Sequence, residues 1–363
     1  ENESTYLDLF LFENEYPRTN GYIAFNLNSS TYVGSAASNS YSSSLPQYIS
    51  FNGGPNSDPL GDYKSDFSAG PSKKGISKAN IYHTASQRTN NLELNLDKGV
   101  TVEFWMKKDG PGHSSAYETI FDNVSIDASG NTTDYLSIKL ITSAGGVTSN
   151  TMTVWLYSHL GYSKAFSLDV GESITDGAWK HYAITLKNKD TTTETKLYLN
   201  GQVKDTDTHS ATYTAASGTM KAALGAQAAP NEDSVQGAGW GNVASASFDE
   251  FRYWKTTRSP QQIGRFYRDQ IGGGTNTDNV KYNDISKKVD LGVYYKFNEG
   301  ITGDTTTDSV VLDYSGRISN GVFNNYNSST SRNTGSAIVL SSAATKEFKD
   351  PIIYSYHPEV VSL

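Results

Sequence analysis

The carboxylates and histidines of this sequence are the side chains most able to do chemistry, and neither set forms a catalytic pattern. Asp249 and Glu250 are adjacent within a predicted strand. Neighbouring side chains of a strand point to opposite faces. These two therefore cannot act together across one bond, as the paired carboxyl groups of glycoside hydrolysis must. We expect both to be structural and the protein to be non-enzymatic.

The histidines indicate neither a catalytic base nor a metal site. His181 lies inside a predicted hairpin beside Trp179, where we expect it to pack. The other five histidines lack the spacing typical of zinc sites; they are at positions 83, 113, 159, 209 and 357. The absence of cysteine excludes thiolate metal sites, and no glycine-rich phosphate loop with a lysine is present.

Three aromatic residues placed in predicted loops are candidates for ligand contact. Trp240 lies among glycines in the stretch GAGWGN, and Tyr117 and Tyr162 are the other two. An exposed aromatic ring stacks on the apolar face of a sugar as it does on any apolar surface. The pattern predicts a carbohydrate contact at these residues. The alternative for Trp240 is that it covers the edge of the fold or a subunit interface. The other four tryptophans lie in predicted strands, and we expect them in the core; they are Trp105, Trp155, Trp179 and Trp254.

Composition narrows the class of protein. The net charge is −8 and there is no concentrated basic run, which argues against binding of nucleic acid. No apolar run approaches the ~18 residues of a membrane span, so no membrane insertion is expected. Tyrosine is abundant, at 24 residues, and aromatic side chains suit a pleated sheet. Because residue 1 is Glu, we expect the numbering to begin inside a longer or processed polypeptide.

Short strands are the elements that would position these residues. In the stretch 178–201 polar and apolar residues alternate, and Asn200-Gly201 is a strong signal for a type I′ hairpin turn. Ser259, Pro260 and Gln262 predict the start of a short helix through a capping box. The other strand candidates are 7–12, 22–25, 48–51, 92–96, 100–107, 118–122, 135–141, 152–157, 164–170, 219–226, 247–254, 291–297, 310–312, 338–340 and 352–356. They indicate an all-β fold, an antiparallel jelly-roll β-sandwich with one short helix and flanking β segments.

The spacing of these signals predicts four regions. Residues 1–75 form a β-rich arm that packs on the sandwich or on a partner, and residues 76–272 form the sandwich. Residues 273–290, which begin in a glycine run, are a linker. Residues 291–363 are expected to form a small, separate β unit, the alternative being that they complete the sandwich.

Six sequence blocks resemble a laminin-G-like domain of the concanavalin A-like lectin/glucanase superfamily. They are VTVEFWMK at 100–107, AWKHYAIT at 178–185, KLYLNG at 196–201, LGA at 224–226, FDEFRYW at 248–254 and SPQQI at 259–263. The resemblance implies a curved sandwich of two antiparallel sheets. Residues 291–300, with 313–317 and 320–321, resemble the preamble that usually precedes such a domain, although here they follow one.

The same resemblance bears on metal binding and on catalysis. Laminin-G-like domains often bind calcium at the rim of the sandwich, which implies oxygen ligands in loops. Asp122 and Asn123 follow one predicted strand, and Asn231 and Asp233 follow another, so these four are the calcium candidates; ordinary solvated turn residues are the alternative. Glucanases of this superfamily carry a Glu-x-Asp-x-x-Glu cluster, and the sequence has none.

The chain as a whole is similar to structural proteins of tailed-bacteriophage virions, in which laminin-G-like modules decorate tails, fibres or capsids. This resemblance implies a role in particle assembly, with other virion proteins or copies of the chain as partners, and binding of a host-surface glycan. The expected location is then the virion. The first alternative is a secreted bacterial carbohydrate-binding or adhesion module, outside the cell or on its surface. The second is an unrecognised glycoside hydrolase.

Overall fold

The computed structural model describes residues 21–25, 47–53, 90–110, 117–127, 132–143, 146–214, 216, 219–228, 244–271, 290–315 and 319–338. In this part of the chain no helix is long and apolar enough to cross a membrane. The strands are β1 (Gly21–Phe25), β2 (Tyr48–Asn52), β3 (Val100–Asp109), β4 (Tyr117–Ile126), β5 (Thr132–Ser143), β6 (Gly146–Ser158), β7 (Tyr162–Asp169), β8 (Asp176–Lys189), β9 (Thr192–Leu199), β10 (Gln202–His209), β11 (Thr219–Leu224), β12 (Ala246–Trp254), β13 (Leu291–Tyr295), β14 (Val310–Val311), β15 (Gly321–Asn324) and β16 (Arg332–Thr334). The helices are α1 (Pro260–Phe266) and α2 (Thr305–Asp308).

These strands form two eight-stranded sheets in which neighbouring strands are antiparallel. The first sheet has the order β10-β9-β8-β3-β12-β1-β16, and β13 also pairs with β12. The second has the order β14-β15-β2-β11-β4-β5-β6-β7. Neighbours in space are often distant in the chain, as in a sandwich of jelly-roll type. The predicted fold class is confirmed.

The core lies between the inner faces of the two sheets. Alternate residues of each strand point inwards, so Phe104 and Met106 of β3 are buried in the same cluster as Val154 and Leu156 of β6. Aromatic rings join the sheets: Phe51 of β2 lies 6.1 Å from Phe251 of β12, measured between ring centroids. Burial of this apolar surface is the main source of stability in a chain without disulfides.

The predicted hairpin and helix cap are both present. Asn200 and Gly201 have φ angles of 49° and 81°, as a type I′ turn between β9 and β10 requires. The Ser259 side chain accepts a hydrogen bond from the Gln262 backbone N–H, and the Gln262 side chain accepts one from the Ser259 N–H. Helix α1 therefore starts where the capping box predicts. It lies on the outer face of the first sheet, where Ile263 packs against Ala183 and Tyr198.

One predicted strand is wrong. Residues 92–96 form an irregular segment with turns at its two ends, although Leu92, Leu94 and Leu96 are all fully buried. The Asn90 side chain accepts a hydrogen bond from the Leu92 N–H, and the Glu93 N–H donates to the Asn90 carbonyl oxygen. The alternation of leucines thus reflects burial against the core and not pairing within a sheet.

The C-terminal residues do not form a separate unit in the described part of the chain, so that prediction is wrong. Strand β13 pairs with β12, β16 pairs with β1 in the first sheet, and β15 pairs with β2 in the second. The predicted N-terminal arm contributes β1 and β2 to the same two sheets. Both ends therefore complete the sandwich. The predicted strands at 7–12 and 352–356 lie outside the described residues, as does the predicted linker up to residue 289.

Candidate functional site

The outer face of the second sheet carries aromatic and polar side chains. On β6, Met152, Val154 and Leu156 are buried in the core, whereas Trp155 and Tyr157 point outwards and are partly exposed. The same face of β4 and β5 presents three more residues. We call the set the aromatic face; its members are Tyr117, Tyr135, Lys139, Trp155 and Tyr157.

The rings of the aromatic face are ordered by contact with one another. Tyr117 and Trp155 meet edge to face, with ring centroids 5.9 Å apart. Tyr135 and Tyr157 stack with centroids 5.1 Å apart and an interplanar angle of 14°. The Lys139 ammonium lies 5.6 Å from the Tyr117 ring centroid and 5.3 Å from that of Trp155. The lysine therefore lies between two rings, in the geometry of a cation–π contact.

Hydroxyl groups lie among these rings. Register places Lys139 opposite Thr119 on one side and Thr153 on the other, and Ser137 opposite Trp155. The hydroxyls of these three residues, Thr119, Ser137 and Thr153, are buried and have no hydrogen-bond partner among the described residues, and the same holds for Trp155 Nε1. Buried polar groups are normally paired, so this set could bind a polar ligand.

The structure places the three aromatic residues that were predicted to contact a ligand in different environments. Tyr117 belongs to the aromatic face, although it is the first residue of β4 and not part of a loop. Tyr162 begins β7 and is buried in the core, where its ring meets those of Tyr213 and His209 edge-on at 5.5 and 5.2 Å. Burial also raises the pKa of the Tyr162 hydroxyl. The prediction for Tyr162 is therefore wrong. Trp240 lies outside the described residues, and its role stays a prediction.

The predicted calcium ligands do not converge in the described part of the chain. Asp122 and Asn123 lie within β4 and not in a rim loop, so their side chains take opposite faces. Asn123 donates to the Leu92 carbonyl oxygen inside the fold, whereas Asp122 accepts from the Ala228 N–H. Asn231 and Asp233 lie outside the described residues. Among the residues that are described, no group of three or more acidic or histidine side chains could hold a metal ion.

The outer face of the first sheet instead holds a buried charge cluster beneath α1. Glu103 Oε1 lies 2.8 Å from the Arg258 guanidinium, and its other oxygen lies 3.6 Å from Arg252 and 3.7 Å from His181. These four side chains are almost fully buried. The pKa of Glu103 is held well below its usual range: the arginines and His181 together outweigh burial, which alone would raise it.

Asp249 and Glu250 belong to the same region, and β12 is irregular where they lie. Glu250 has a φ of 52°, and the register with β3 shifts between Asp249 and Arg252. The bulge breaks the strict alternation on which the opposite-face argument rested. Glu250 accepts hydrogen bonds from Arg252 and Tyr294, while Asp249 accepts from the Ala337 N–H. Burial, and then the neighbouring Glu250, raise the pKa of Asp249.

His181 packs inside the fold, as predicted. Its ring lies 5.6 Å from Trp105 and 5.4 Å from Tyr267, between centroids. Burial lowers its pKa, and the nearby Glu103 only partly offsets that effect. The His181 ring therefore lies between the first sheet and Tyr267, the residue that follows α1.

Sequence reasoning missed Trp155, Tyr157 and Lys139. The sequence placed Trp155 in the core because it lies in a strand, and that prediction is wrong: the ring points outwards and is partly exposed. Trp179, placed in the core for the same reason, is also partly exposed on the outer face of the first sheet, 5.2 Å from Tyr22. A signal was available, because the aromatic residues of β6 alternate out of phase with its aliphatic ones.

Comparison with known proteins identifies the family of the central part of the chain. The family model described as the concanavalin A-like lectin/glucanases superfamily, in its laminin-G-like form, matches residues 82–264. A comparison with curated proteins found no significant match.

Solved structures give weaker likenesses. A candidate carbohydrate binding protein from Bacteroides ovatus is 14% identical, with 87% of this chain and 60% of that chain covered, at a TM-score of 0.44. A heptameric pentraxin from Limulus polyphemus is 12% identical over 71% of this chain and 86% of its own, at a TM-score of 0.39. Domain 4 of an extracellular arabinanase from Geobacillus stearothermophilus, solved with arabinotriose, is 17% identical. The match covers 47% of this chain and 69% of that chain, at a TM-score of 0.30.

These structural likenesses do not define a function, because all have TM-scores below 0.5. The chain also spans only 60% of the length of the Bacteroides ovatus protein. The family match is stronger, because it covers half of the chain and agrees with the two antiparallel sheets described above. The chain belongs to the concanavalin A-like lectin/glucanases superfamily, through a laminin-G-like domain.

Proposed function

We propose that the protein is a non-enzymatic carbohydrate-binding module and that the sugar binds on the aromatic face. The observation that carries this proposal is the pair of partly exposed rings on β6, Trp155 and Tyr157, which stand on one face of a sheet beside Tyr117. Residues two apart on a strand are about 7 Å apart, so the two rings form successive platforms. Sugar rings present apolar C–H faces that stack on such platforms.

The polar groups between the rings support binding of a sugar over binding of a purely apolar partner. Thr119, Ser137 and Thr153 are buried hydroxyls without a hydrogen-bond partner among the described residues. A hydroxylated ligand would supply those partners, and leaving such groups unpaired costs free energy. An apolar protein surface laid on the same face would leave them unsatisfied. The combination of stacking rings and open hydroxyls therefore favours a carbohydrate.

The non-enzymatic part of the proposal rests on how the buried carboxylates are used. Glu103 and Glu250 are bound to arginines beneath α1, away from the aromatic face. Asp122, which is on that face, binds the Ala228 N–H. A pair of carboxyl groups across a sugar-sized cleft, as glycoside hydrolysis needs, is absent from this set. Calcium through Asn231 and Asp233 remains a separate proposal that sugar stacking does not require.

A secreted or cell-surface module suits this function better than a structural part of a virion. The family match concerns the sandwich alone, and no comparison supports the resemblance to bacteriophage proteins. The virion hypothesis therefore rests on sequence composition only. An extracellular location, where polysaccharides are found, is part of this proposal.

Affinity gel electrophoresis with a panel of neutral and charged soluble polysaccharides tests the proposed function. At least one should retard the wild-type protein, and Trp155→Ala should weaken that binding by at least about tenfold, since central aromatic residues dominate such interfaces. Trp179→Ala is the matched control, because it removes a partly exposed strand tryptophan from the other sheet. The proposal would be overturned if no polysaccharide retarded the wild-type protein, or if a folded Trp155→Ala protein bound as tightly as the wild type.

A further inference from the structure

Lys139 has an unusual position for a lysine. Its side chain is 5% exposed, and lysines are almost never so buried unless they are paired. The described residues place no carboxylate within 4.0 Å of its ammonium, and its contacts are the rings of Tyr117 and Trp155. Lys139 is one of five buried lysines among the described residues, and two of the others, Lys108 and Lys180, have carboxylate partners in Glu118 at 2.8 Å and Asp176 at 2.6 Å.

The surroundings of Lys139 are suited to an anion. Register puts Thr119 and Thr153 directly on either side of it. Ser137, two residues before it on the same face, lies opposite Asp122, whose carboxylate accepts a hydrogen bond from the Ala228 N–H. A carboxylate or sulfate oxygen accepts hydrogen bonds from an ammonium and from hydroxyl groups at once, and bonds to charged groups are the stronger ones. The rings of Tyr117 and Trp155 exclude water on two sides, which strengthens a charged contact.

We propose that the aromatic face is specific for anionic sugars, with Lys139 binding the acidic group while Trp155 and Tyr157 stack on sugar rings. This inference rests on the proposed function and adds the substrate class to it. The net charge of −8 repels an anionic polymer at long range, so the selectivity must come from the local contact. Lys139 is then a specificity-determining residue.

The test uses matched pairs of polymers that differ in charge alone. Polygalacturonate is compared with its methyl ester, and dextran sulfate with dextran, so that the first pair tests a carboxylate and the second a sulfate. Wild-type protein should bind the charged member of at least one pair at least about tenfold more tightly than the neutral member, as a hydrogen bond to a charged group allows.

The decisive variant is Lys139→Met, which keeps an unbranched stem between the two rings and removes the charge. Lys221→Met is the control, because Lys221 is exposed on the same face of β11, where it lies opposite Val124, and touches neither ring of the pair. We expect Lys139→Met to abolish the preference for the charged polymer while binding of neutral polymers persists. Lys221→Met should keep the preference.

The outcomes separate this inference from the proposed function. Binding of neutral polymers that depends on Trp155, with no preference for charge, would overturn the anionic specificity and leave carbohydrate binding intact. If Lys139→Met and Lys221→Met lost the preference for the charged polymer equally, the attraction would be unspecific, and this result would also overturn the anionic specificity. Absence of binding to every polymer would overturn the proposed function itself, and with it the inference.

Discussion

The two outer faces of the sandwich are built from the same alternation of side chains, yet they have opposite environments. On the first sheet α1 and the residues after it cover Trp105, whose Nε1–H donates to the Tyr267 carbonyl oxygen. The charged side chains there are paired with one another. On the second sheet Trp155 is partly exposed. Its indole N–H has no hydrogen-bond partner among the described residues, which is also true of the fully buried Trp254 on the first sheet.

If the aromatic face binds sugar as proposed, the difference separates the residues that stabilise the fold from those that bind the ligand. On the covered face the charge of Glu103 is paired with those of Arg252 and Arg258, because a buried unpaired charge is costly, although Glu103 Oε2 accepts no hydrogen bond from the described residues. On the second outer face Trp155 and Tyr157 are partly exposed, and the buried Lys139 ammonium has no carboxylate within 4.0 Å among the described residues. We therefore expect substitutions on the first outer face to change the free energy of unfolding, and those on the second to change affinity.

The largest effect should come from substitution of a strand tryptophan on each outer face, one covered and one partly exposed. Trp105→Ala removes a fully covered ring in contact with His181 and Tyr267, and should lower the free energy of unfolding by about 3–5 kcal/mol. Trp155→Ala should lower it by less than about 2 kcal/mol, since part of the ring is already in water. Urea unfolding followed by circular dichroism measures both. Equal losses would remove the distinction between the faces.

A smaller effect should follow from tightening the contact between α1 and the first sheet. A Cβ at Gly201 would lie 2.8 Å from the Tyr267 ring, and the residue has a φ of 81°. Gly201→Ala should therefore destabilise the protein by about 2–3 kcal/mol.

Gly161→Ala is the control for that change. Gly161 also has a positive φ, of 99°, but a Cβ there would meet nothing within 4 Å. Gly161→Ala should lower the free energy of unfolding by the backbone strain alone, about 1 kcal/mol. Thermal unfolding of the two variants gives the difference, which measures the clash alone; identical melting temperatures would contradict a close packing of α1 on the turn.

The smallest effect is a pH dependence from the covered face. Burial lowers the pKa of His181, so the folded protein holds the ring neutral while the unfolded chain takes up a proton below about pH 6.5. Stability from this residue is therefore full above that pH and declines as the pH falls, by up to about 1.4 kcal/mol per pH unit. The raised pKa of Asp249 acts in the opposite direction, since its contribution declines as the pH rises.

A substitution of His181 measures its contribution to the pH dependence of stability. His181→Asn should flatten the fall in stability between about pH 7 and pH 5 relative to wild type. The measurement is urea unfolding at several pH values, and an unchanged slope in His181→Asn would contradict the account of the buried cluster.

Local sequence signals predicted the parts of the fold that depend on local geometry. Asn200-Gly201 defined a hairpin because a type I′ turn needs positive φ at both residues, and Ser259 with Gln262 defined the start of α1. The blocks that resemble the family predicted the two antiparallel sheets. These features need no knowledge of distant residues.

Long-range pairing and exposure could not be predicted in this way. Nothing local to residues 291–295 shows that β13 pairs with β12, because that choice depends on free edges elsewhere. Alternation on β6 separates Trp155 from Val154, but it does not tell which face a helix covers. The bulge at Glu250 likewise brings its side chain to Tyr294, 44 residues further along the chain. The aromatic face was missed for these reasons.

The most direct test of carbohydrate binding on the aromatic face is a nuclear magnetic resonance titration of the five tryptophan indole N–H signals. The ligand is an oligosaccharide of the polymer that retards the protein, and single Trp→Phe variants assign the signals. The account predicts that the Trp155 signal shifts with saturation, while those of Trp105 and Trp179 do not. A saturable shift confined to Trp179 or to Trp240, with the Trp155 signal unmoved, would contradict it.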